Sequence, residues 1–384
     1  MIQTPVVAVA GGLLAAGAAW LGAGYGLRHG ALLLVGAALG LVLHHAAFGF
    51  TWAYRVFVTV GDGRGVRAQL LMLALATVLF APVLAAGEAF GRPVGGALAP
   101  ASVAVLAGAF LFTVGMQLGG GCGSGTLYHV GAGSTPMLVT LASFIAGSVL
   151  ATFHAPFWAA VPSLGEVSLG ERLGWPRAVA LQLGGCALLA LVCWWIERRR
   201  RGAPLRTPAP PFGWRRLVQG PWSLAAGAVL LALLNLVTLV LAGHPWTITW
   251  AFTLWGGKAL ALAGWDLAAV PFWRGEFQQA ALAAPVAADV TSVMDVGLVL
   301  GALLAAGLAG RFAPARRIPL RRLAASVLGG LLLGYGARIA FGCNIGALTS
   351  GIASTSLHGW LWAAAALVGT PLGVRLRRRF GLAP

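Results

Sequence analysis

Apolar stretches of about 20 residues recur along almost the whole 384-residue chain. A stretch of that length crosses a bilayer as a helix. Only 9% of the residues are charged, whereas a soluble domain carries about 25%, so the chain has too few charges to cover a surface that faces water. The stretches are rich in Leu, Ala and Gly and do not alternate apolar with polar residues as transmembrane strands do. The sequence therefore predicts an all-α integral membrane protein.

Ten segments are predicted to span the membrane, namely 5–26, 31–50, 68–87, 99–118, 136–155, 178–196, 222–241, 292–311, 321–338 and 357–375. The stretch 246–264 is consistent either with a further span or with a broken helix. Segments 119–133 and 340–355 are too rich in glycine for a helix exposed to lipid. Irregular backbone at membrane depth persists only where protein or a cavity covers it. These two segments are therefore predicted to be re-entrant loops or broken helices.

The net charge of +17 comes largely from basic residues in short loops between the spans. This pattern is typical of loops held in the cytoplasm and not of nucleic-acid binding. The proline-rich linker 197–220 carries four consecutive arginines, so we expect it to be cytoplasmic. It separates a first repeat at 29–196 from a second at 221–384, and residues 1–28 form an additional N-terminal transmembrane helix.

The two halves share a short motif. At an offset of 221 residues, 107–132 is identical to 328–353 at eight of 26 positions, and Cys122 aligns with Cys343. The loop charges direct the helix before Cys122 inward and the helix before Cys343 outward. Inverted repeats with interrupted helices near the midplane are typical of secondary transporters. We therefore predict an inverted-repeat helical bundle whose two motifs enter from opposite sides and converge.

The shared motif, G-C-[GN]-x-G, has the chemistry of an anion site. Glycines let the backbone approach a ligand, helix N-termini carry positive partial charge, and a thiol is a polarizable weak donor. This combination favours a small anion that contains sulfur. The alternative is that the glycines serve packing and the cysteines act as small hydrophobes. The candidate substrate-binding residues in the two motifs are Gly121, Cys122, Gly123, Ser124, Gly125, Gly342, Cys343, Asn344 and Gly346.

Four other residues need an interpretation. Arg338 precedes the second motif inside an apolar helix, where it could attract an anion or reach the membrane interface. His129 adjoins the first motif and could line the path. Cys186 and Cys193 lie on an ordinary helix without a glycine break, so we interpret them as packing residues. No metal site or cofactor is expected, because two cysteines without a His or carboxylate cluster do not complete a metal shell.

The motifs GGGCGSGTLYHVGAG and GARIAFGCNIGALTSG, at this separation, resemble the two cysteine motifs of the YeeE/YedE sulfur-transport family. The resemblance covers roughly 31–375. It implies a multi-pass protein of the bacterial inner membrane with an hourglass-shaped inverted-repeat fold. It also implies thiosulfate uptake, with the substrate relayed by the thiols of Cys122 and Cys343. Two positions depart from the family, since Gly49 stands where a third cysteine is often found and His129 replaces a basic residue.

The predicted function is therefore uptake of thiosulfate or a related sulfur anion, and not an enzymatic reaction. Sulfite and selenium or persulfide species remain open as substrates. One alternative is a persulfide relay component that hands sulfur to a cytosolic sulfurtransferase of the small carrier type; another is an anion channel of other selectivity. Membrane lipid is an expected partner and nucleic acid is not. No phosphate-binding loop of the G-x-x-x-x-G-K-[ST] type occurs, which disfavours direct use of ATP.

Overall fold

The computed structural model describes residues 1–202, 213–315 and 317–383, so 203–212 of the predicted linker lie outside the described residues. Helices of the first half are α1 (Thr4–Tyr25), α2 (Leu27–His45), α3 (Phe50–Val60), α4 (Arg64–Ala86), α5 (Val103–Gly119), α6 (Gly123–Gly131), α7 (Thr135–Phe153), α8 (Ala155–Ala159) and α9 (Leu169–Leu173). Four short strands form two antiparallel pairs, β1 (Glu88–Ala89) with β2 (Arg92–Pro93) and β3 (Pro100–Ser102) with β4 (Ser163–Glu166).

The remaining helices are α10 (Trp175–Arg201), α11 (Trp214–Gln219), α12 (Leu224–Ala242), α13 (Thr249–Leu262), α14 (Glu276–Ala283), α15 (Val290–Ala309), α16 (Leu320–Ile339), α17 (Ser350–Ala353) and α18 (Leu357–Arg379). Three 3-10 turns occupy Leu267–Ala269, Pro271–Arg274 and Val286–Ala288, and a π-helix occupies Asn344–Thr349.

Ten segments of the described chain are long and apolar enough to cross a membrane, and they coincide with the ten predicted spans. The all-α membrane class is thereby confirmed. The stretch 246–264 is not among these ten segments. It contains only the 14-residue helix α13, which follows α12 after a break and buries its N-terminal half against the rest of the protein. Its length falls short of the ~20 residues that a spanning helix needs.

Helices α5 and α16 cross at the centre of the bundle and run antiparallel. A Cβ atom added at Gly108 would lie 2.6 Å from the carbonyl oxygen of Gly336, and one added at Gly115 would lie 2.8 Å from that of Gly329. The absence of side chains at these positions lets the two backbones touch, as small residues do between membrane helices. Helix α18 flanks α5, and α7 flanks α16.

The glycines of this central contact occupy corresponding positions in the two halves of the chain. At the offset of 221 residues, Gly108 corresponds to Gly329 and Gly115 to Gly336, so each glycine meets the counterpart of the other. A self-complementary antiparallel contact is what a two-fold relation between two copies produces. This pairing supports the inverted repeat, which stays a prediction.

The end of the bundle at which α10 stops is here called the linker side. Arg200 and Arg201 at the end of α10 donate hydrogen bonds to the carbonyls of Val58 and Val60, at 3.0 and 2.7 Å. The end of α3 and the start of α4 therefore lie on the linker side. Strands β3 and β4 lie at the other end of α5, and that end of the bundle is here called the opposite side.

Candidate functional site

The first cysteine motif is a sharp interruption between α5 and α6. Gly120 ends α5 with φ of +85°, a left-handed conformation that favours glycine. Cys122 then caps α6, its sulfur accepting a hydrogen bond from the Gly125 N–H at 3.4 Å. The hydroxyl of Ser124 lies 3.5 Å from the same sulfur. Segment 119–133, for which a re-entrant loop or a broken helix is predicted, contains the helix α6, and the break before that helix covers residues 120–122.

The second motif repeats this geometry after α16. Phe341, at the position that corresponds to Gly120, also has a left-handed backbone with φ of +58°. Cys343 caps the π-helix, and its sulfur accepts a hydrogen bond from the Ile345 N–H at 3.4 Å. Short π-helical turns are frequent at functional sites. Each cysteine therefore begins a helix from the middle of an apolar span.

The two motifs meet in space, although 221 residues separate them. A Cβ atom added at Gly123 would lie 3.0 Å from the sulfur of Cys343. Cys122 and Cys343 are both buried, with exposures of 1% and 0%. Glycine at 123 is therefore required by the close approach of the second motif, and the two thiol-bearing turns form one buried layer.

A cavity of about 440 Å³ reaches this layer from the linker side. It is lined by the first motif at Gly121, Cys122 and Gly125, and by the break between α2 and α3. Arg55 and Arg64 also line it. Arg64 forms an ion pair with Asp62 at 2.7 Å, whereas Arg55 forms none within the described ranges, so the positive charge of Arg55 faces the cavity. An anion in this cavity would lie beside the Cys122 turn.

Two cavities of about 470 and 250 Å³ reach the layer from the opposite side. Arg338 and His244 line both, and the smaller one extends to Gly346 of the second motif. The guanidinium carbon of Arg338 lies 5.0 Å from the ring centre of Phe272. None of the carboxylates in the described ranges forms an ion pair with Arg338. Its charge is therefore available to an anion in these cavities.

Gly121 and Gly342 of the motifs allow tight backbone turns in which a side chain would not fit. A Cβ at Gly342 would lie 2.7 Å from the Ala347 nitrogen, and one at Gly121 would lie 3.0 Å from the Thr126 nitrogen. These corresponding contacts leave no space for a side chain inside either turn. The backbone at both cysteines is thereby held in the same extended conformation, with ψ of −166°.

The predicted site residues are thus divided into three places. Cys122, Gly123, Ser124, Gly125 and Cys343 come together in the buried layer. Arg338 lies on the opposite side. His129 lies at the linker-side cavity, where its Nδ1 lies 2.7 Å from the carbonyl oxygen of Gly125.

Asn344 and the two other cysteines have different surroundings. The amide group of Asn344 is fully buried and makes no hydrogen bond within the described residues, although the Tyr54 hydroxyl is near. Cys186 and Cys193 are buried on α10, the helix that packs against α4. Neither of these two lines a cavity described above.

The sequence interpretation missed two features of the site. His244 and Thr247, which line the opposite-side cavities, lie in the break between α12 and α13 that no charge or motif marks. Asp295 lies inside the predicted span 292–311, fully buried and without a hydrogen-bond partner in the described part of the chain. A carboxyl group within an apolar span is a recognisable signal, because such groups are costly there.

The chain is similar to several bacterial transporters. Probable transporter YedE of Escherichia coli is 31% identical over 157 residues, which cover 40% of this chain and 37% of that protein. Thiosulfate transporter TsuA of Spirochaeta thermophila is 27% identical over 344 residues, 86% of this chain and 93% of that protein. The Escherichia coli protein of the same name is 24% identical, over 85% of this chain and 88% of its own length.

A family model described as "Sulphur transport" matches residues 45–372. The matched segment contains both cysteine motifs, Arg338 and Asp295, and it leaves out α1 and most of α2. It covers far more than half of the chain, and the resemblance drawn from the two motifs is thereby confirmed. The chain belongs to the sulphur transport family.

Proposed function

We propose that this protein transports thiosulfate or a related small sulfur anion across the membrane. The observation that carries the proposal is the buried contact between the two cysteine turns, which lies between cavities on the two sides of the bundle. The similarity to two thiosulfate transporters over most of their length supports the substrate class. The path would run past Arg338, Cys343, Cys122 and His129.

Loop charges support the orientation. The linker side carries Arg198 to Arg201 and the arginines of the linker-side cavity, so the positive-inside rule assigns it to the cytoplasm. The opposite-side cavities would then face the periplasm of a bacterial inner membrane. Uptake would begin at Arg338, whose unpaired charge attracts the anion.

The buried layer would pass the anion by hydrogen bonding. Each thiol has an S–H group that can donate to sulfur or oxygen, and helices that begin at the cysteines place N–H groups and positive partial charge around it. No bond to the substrate sulfur has to break in such a relay. A dry constriction with fixed donors favours a small polarizable anion over a neutral solute.

Uptake of radiolabelled thiosulfate into proteoliposomes that contain only this protein tests the proposal. Saturable uptake that excess sulfite or sulfate does not abolish would establish thiosulfate as the substrate. Uptake that requires an added cytosolic sulfurtransferase would instead favour a sulfur-relay component. If an excess of any small anion abolishes thiosulfate uptake to the same extent, the result would favour an anion channel of other selectivity.

Cysteine variants in the same assay test the relay. Cys122→Ala removes a donor from the constriction, where an unmet hydrogen bond costs about 1–3 kcal/mol. At about 1.4 kcal/mol per tenfold, uptake should fall roughly tenfold to a hundredfold. Cys343→Ala should also slow uptake, but less, because Arg338 and Asn344 lie beside the second motif.

Cys186→Ala and Cys193→Ala are the matched controls, since these buried thiols lie on α10 and should leave uptake nearly unchanged. Normal uptake by the Cys122→Ala variant would contradict the relay and reduce the first motif to a packing device.

A further inference from the structure

Asp295 is a buried carboxyl group in the membrane part of α15, and the path described above gives it no role. Its exposure is 0%, and neither carboxyl oxygen has a hydrogen-bond partner within the described residues. Ionisable residues inside membrane spans are costly and usually mark ion or proton pathways. Asp295 therefore requires a functional explanation.

The register of α15 places Asp295 beside the path. Thr291 lines the larger opposite-side cavity, and Asp295 lies four residues later, one turn deeper on the same helix face. One turn deeper still, the carbonyl of Val299 meets Gly131 of α6, where an added Cβ would lie 2.3 Å away. Asp295 also lies near enough to Cys343 to interact with it electrostatically. It therefore lies between the floor of that cavity and the helix that begins at Cys122.

The titratable groups near Asp295 lie on the elements that pack against α15 and along the path. Helix α15 packs against α1, α2, α6, α11, α13 and the turn Val286–Ala288. The titratable groups of these elements and of the nearby path are Tyr25, Arg28, His29, His44, His45, Cys122, Tyr128, His129, Arg215, Arg216, His244, Lys258, Asp289, Arg338 and Cys343.

Two basic groups on the packing helices, Lys258 and His29, contact backbone carbonyls. Lys258 donates to Leu282 and Ala284 at 2.7 and 2.6 Å, and His29 lies 3.3 Å from the oxygen of Ala288. Asp289, at the start of α15, is a second carboxylate near Asp295, and two negative charges there would repel each other. No cation in the described ranges compensates a negative charge at Asp295. A carboxyl group so placed is costly to ionise, so it rests in its neutral form and releases its proton only where water reaches it.

A negative membrane potential inside the cell opposes the inward movement of an anion that carries two charges. A proton that moves with the anion lowers the charge that crosses against the potential. An acidic group at the cavity floor, near the thiols, is positioned to provide such a proton.

We propose that Asp295 is the site that couples inward anion movement to inward proton movement, an inference that rests on the proposed function. Asp295 takes a proton from water in the opposite-side cavity and remains neutral while the anion passes Cys343. It then releases the proton to water of the linker-side cavity. One proton thus crosses per cycle, and no bond to the substrate sulfur forms or breaks.

Proteoliposomes with a trapped pH indicator test this coupling by two measurements. The first is exchange of labelled for unlabelled thiosulfate at equal pH, and the second is internal acidification on addition of external thiosulfate. We expect the unaltered protein to do both. Asp295→Asn keeps a neutral hydrogen-bonding side chain but no exchangeable acid, so it should retain exchange and lose acidification. Asp295→Glu, which retains the acid, should keep acidification.

Glu276→Gln, an acid-to-amide change on exposed α14, is the matched control and should leave both signals intact. Acidification by an inserted, exchanging Asp295→Asn variant would overturn the proposal. If the unaltered protein exchanges thiosulfate without acidifying the interior, the coupling role of Asp295 is wrong, but the transport proposal stands. Absence of exchange in the unaltered protein would overturn the transport proposal itself.

Discussion

At the residue scale, each motif cysteine has both a structural and a chemical role. The sulfur atoms of Cys122 and Cys343 accept backbone N–H groups and so begin two short helices. Because sulfur accepts these bonds, the S–H hydrogen of each thiol remains able to donate. A buried layer built in this way offers donors without a fixed positive charge. Such a layer lets an anion pass without holding it.

Gly49 gives a prediction at this scale, because it lines the linker-side cavity where the family often carries a third cysteine. Its φ of −120° suits any residue, and an added Cβ would approach only the Tyr128 hydroxyl, at 3.4 Å, and the Trp52 Cβ, at 4.0 Å. Gly49→Cys should therefore fold normally and add a thiol donor to the path. We expect faster thiosulfate uptake in proteoliposomes.

Gly49→Ala is the control for that substitution, since it adds the Cβ without the thiol. Equal uptake by the Ala and Cys variants would show that a third thiol adds nothing in this chain.

At the element scale, facing pairs of glycines bring α2 and α15 into backbone contact. A Cβ added at Gly36 or Gly40 of α2 would meet the backbone of α15 at Met294 or Leu298, and one added at Gly297 or Gly301 of α15 would meet the backbone of α2 at Leu33 or Ala37. The two glycines of each helix are four residues apart. Pairs of small residues at this spacing allow membrane helices to approach closely. The contact holds α15, and with it Asp295, against the rest of the bundle.

Gly301→Ala tests this contact. An added Cβ would lie 1.9 Å from the carbonyl oxygen of Ala37, so the helices must separate. Overpacking of this kind costs about 1–3 kcal/mol, which should lower the thermal midpoint of the detergent-solubilised protein.

Gly184→Ala on α10 is the matched control, because it is also a glycine-to-alanine change inside a helix but nothing lies within 4 Å of the added atom. Replacing a helical glycine there should stabilise the protein by about 0.5–1 kcal/mol. Equal midpoints for the two variants would show that the α2–α15 contact tolerates separation.

At the scale of the whole molecule, the predicted extra helix α1 has a structural counterpart. Helix α1 packs against α15, while α10 packs against α4. Helices α4 and α15 occupy corresponding places in the two halves, each preceding the helix that leads to a cysteine motif. We therefore propose that α1 and α10 are a related pair, in which case each predicted repeat begins one helix earlier than the family resemblance suggests.

The two sides of the bundle can be distinguished by cysteine labelling. Gly202 follows α10 on the linker side, and Gly165 lies in β4 on the opposite side. Both are exposed, have positive φ and have no atom within 4 Å of an added Cβ, so they form a matched pair. An impermeant thiol reagent on intact cells should label Gly165→Cys and not Gly202→Cys, because translocating four consecutive arginines is costly.

The native cysteines are all buried and should give little background in that experiment. Labelling of Gly202→Cys on intact cells would show that the orientation is the reverse of the one proposed. Arg338 would then face the cytoplasm.

The sequence alone determined the ten spans, the charged loops and the paired cysteine motifs. Membrane insertion depends on local apolar length, and a rare cysteine aligned with a rare cysteine is visible without coordinates. It did not determine that 246–264 forms a short, half-buried helix, because hydropathy does not distinguish lipid from protein neighbours.

Only the tertiary structure brought Cys343 against Gly123 and buried Asp295 without a hydrogen-bond or ion-pair partner in the described ranges. These properties depend on which helices pack together across more than two hundred residues. That choice is made by the shapes of glycine-lined backbones, such as those of α5 and α16, and not by the composition of any one segment.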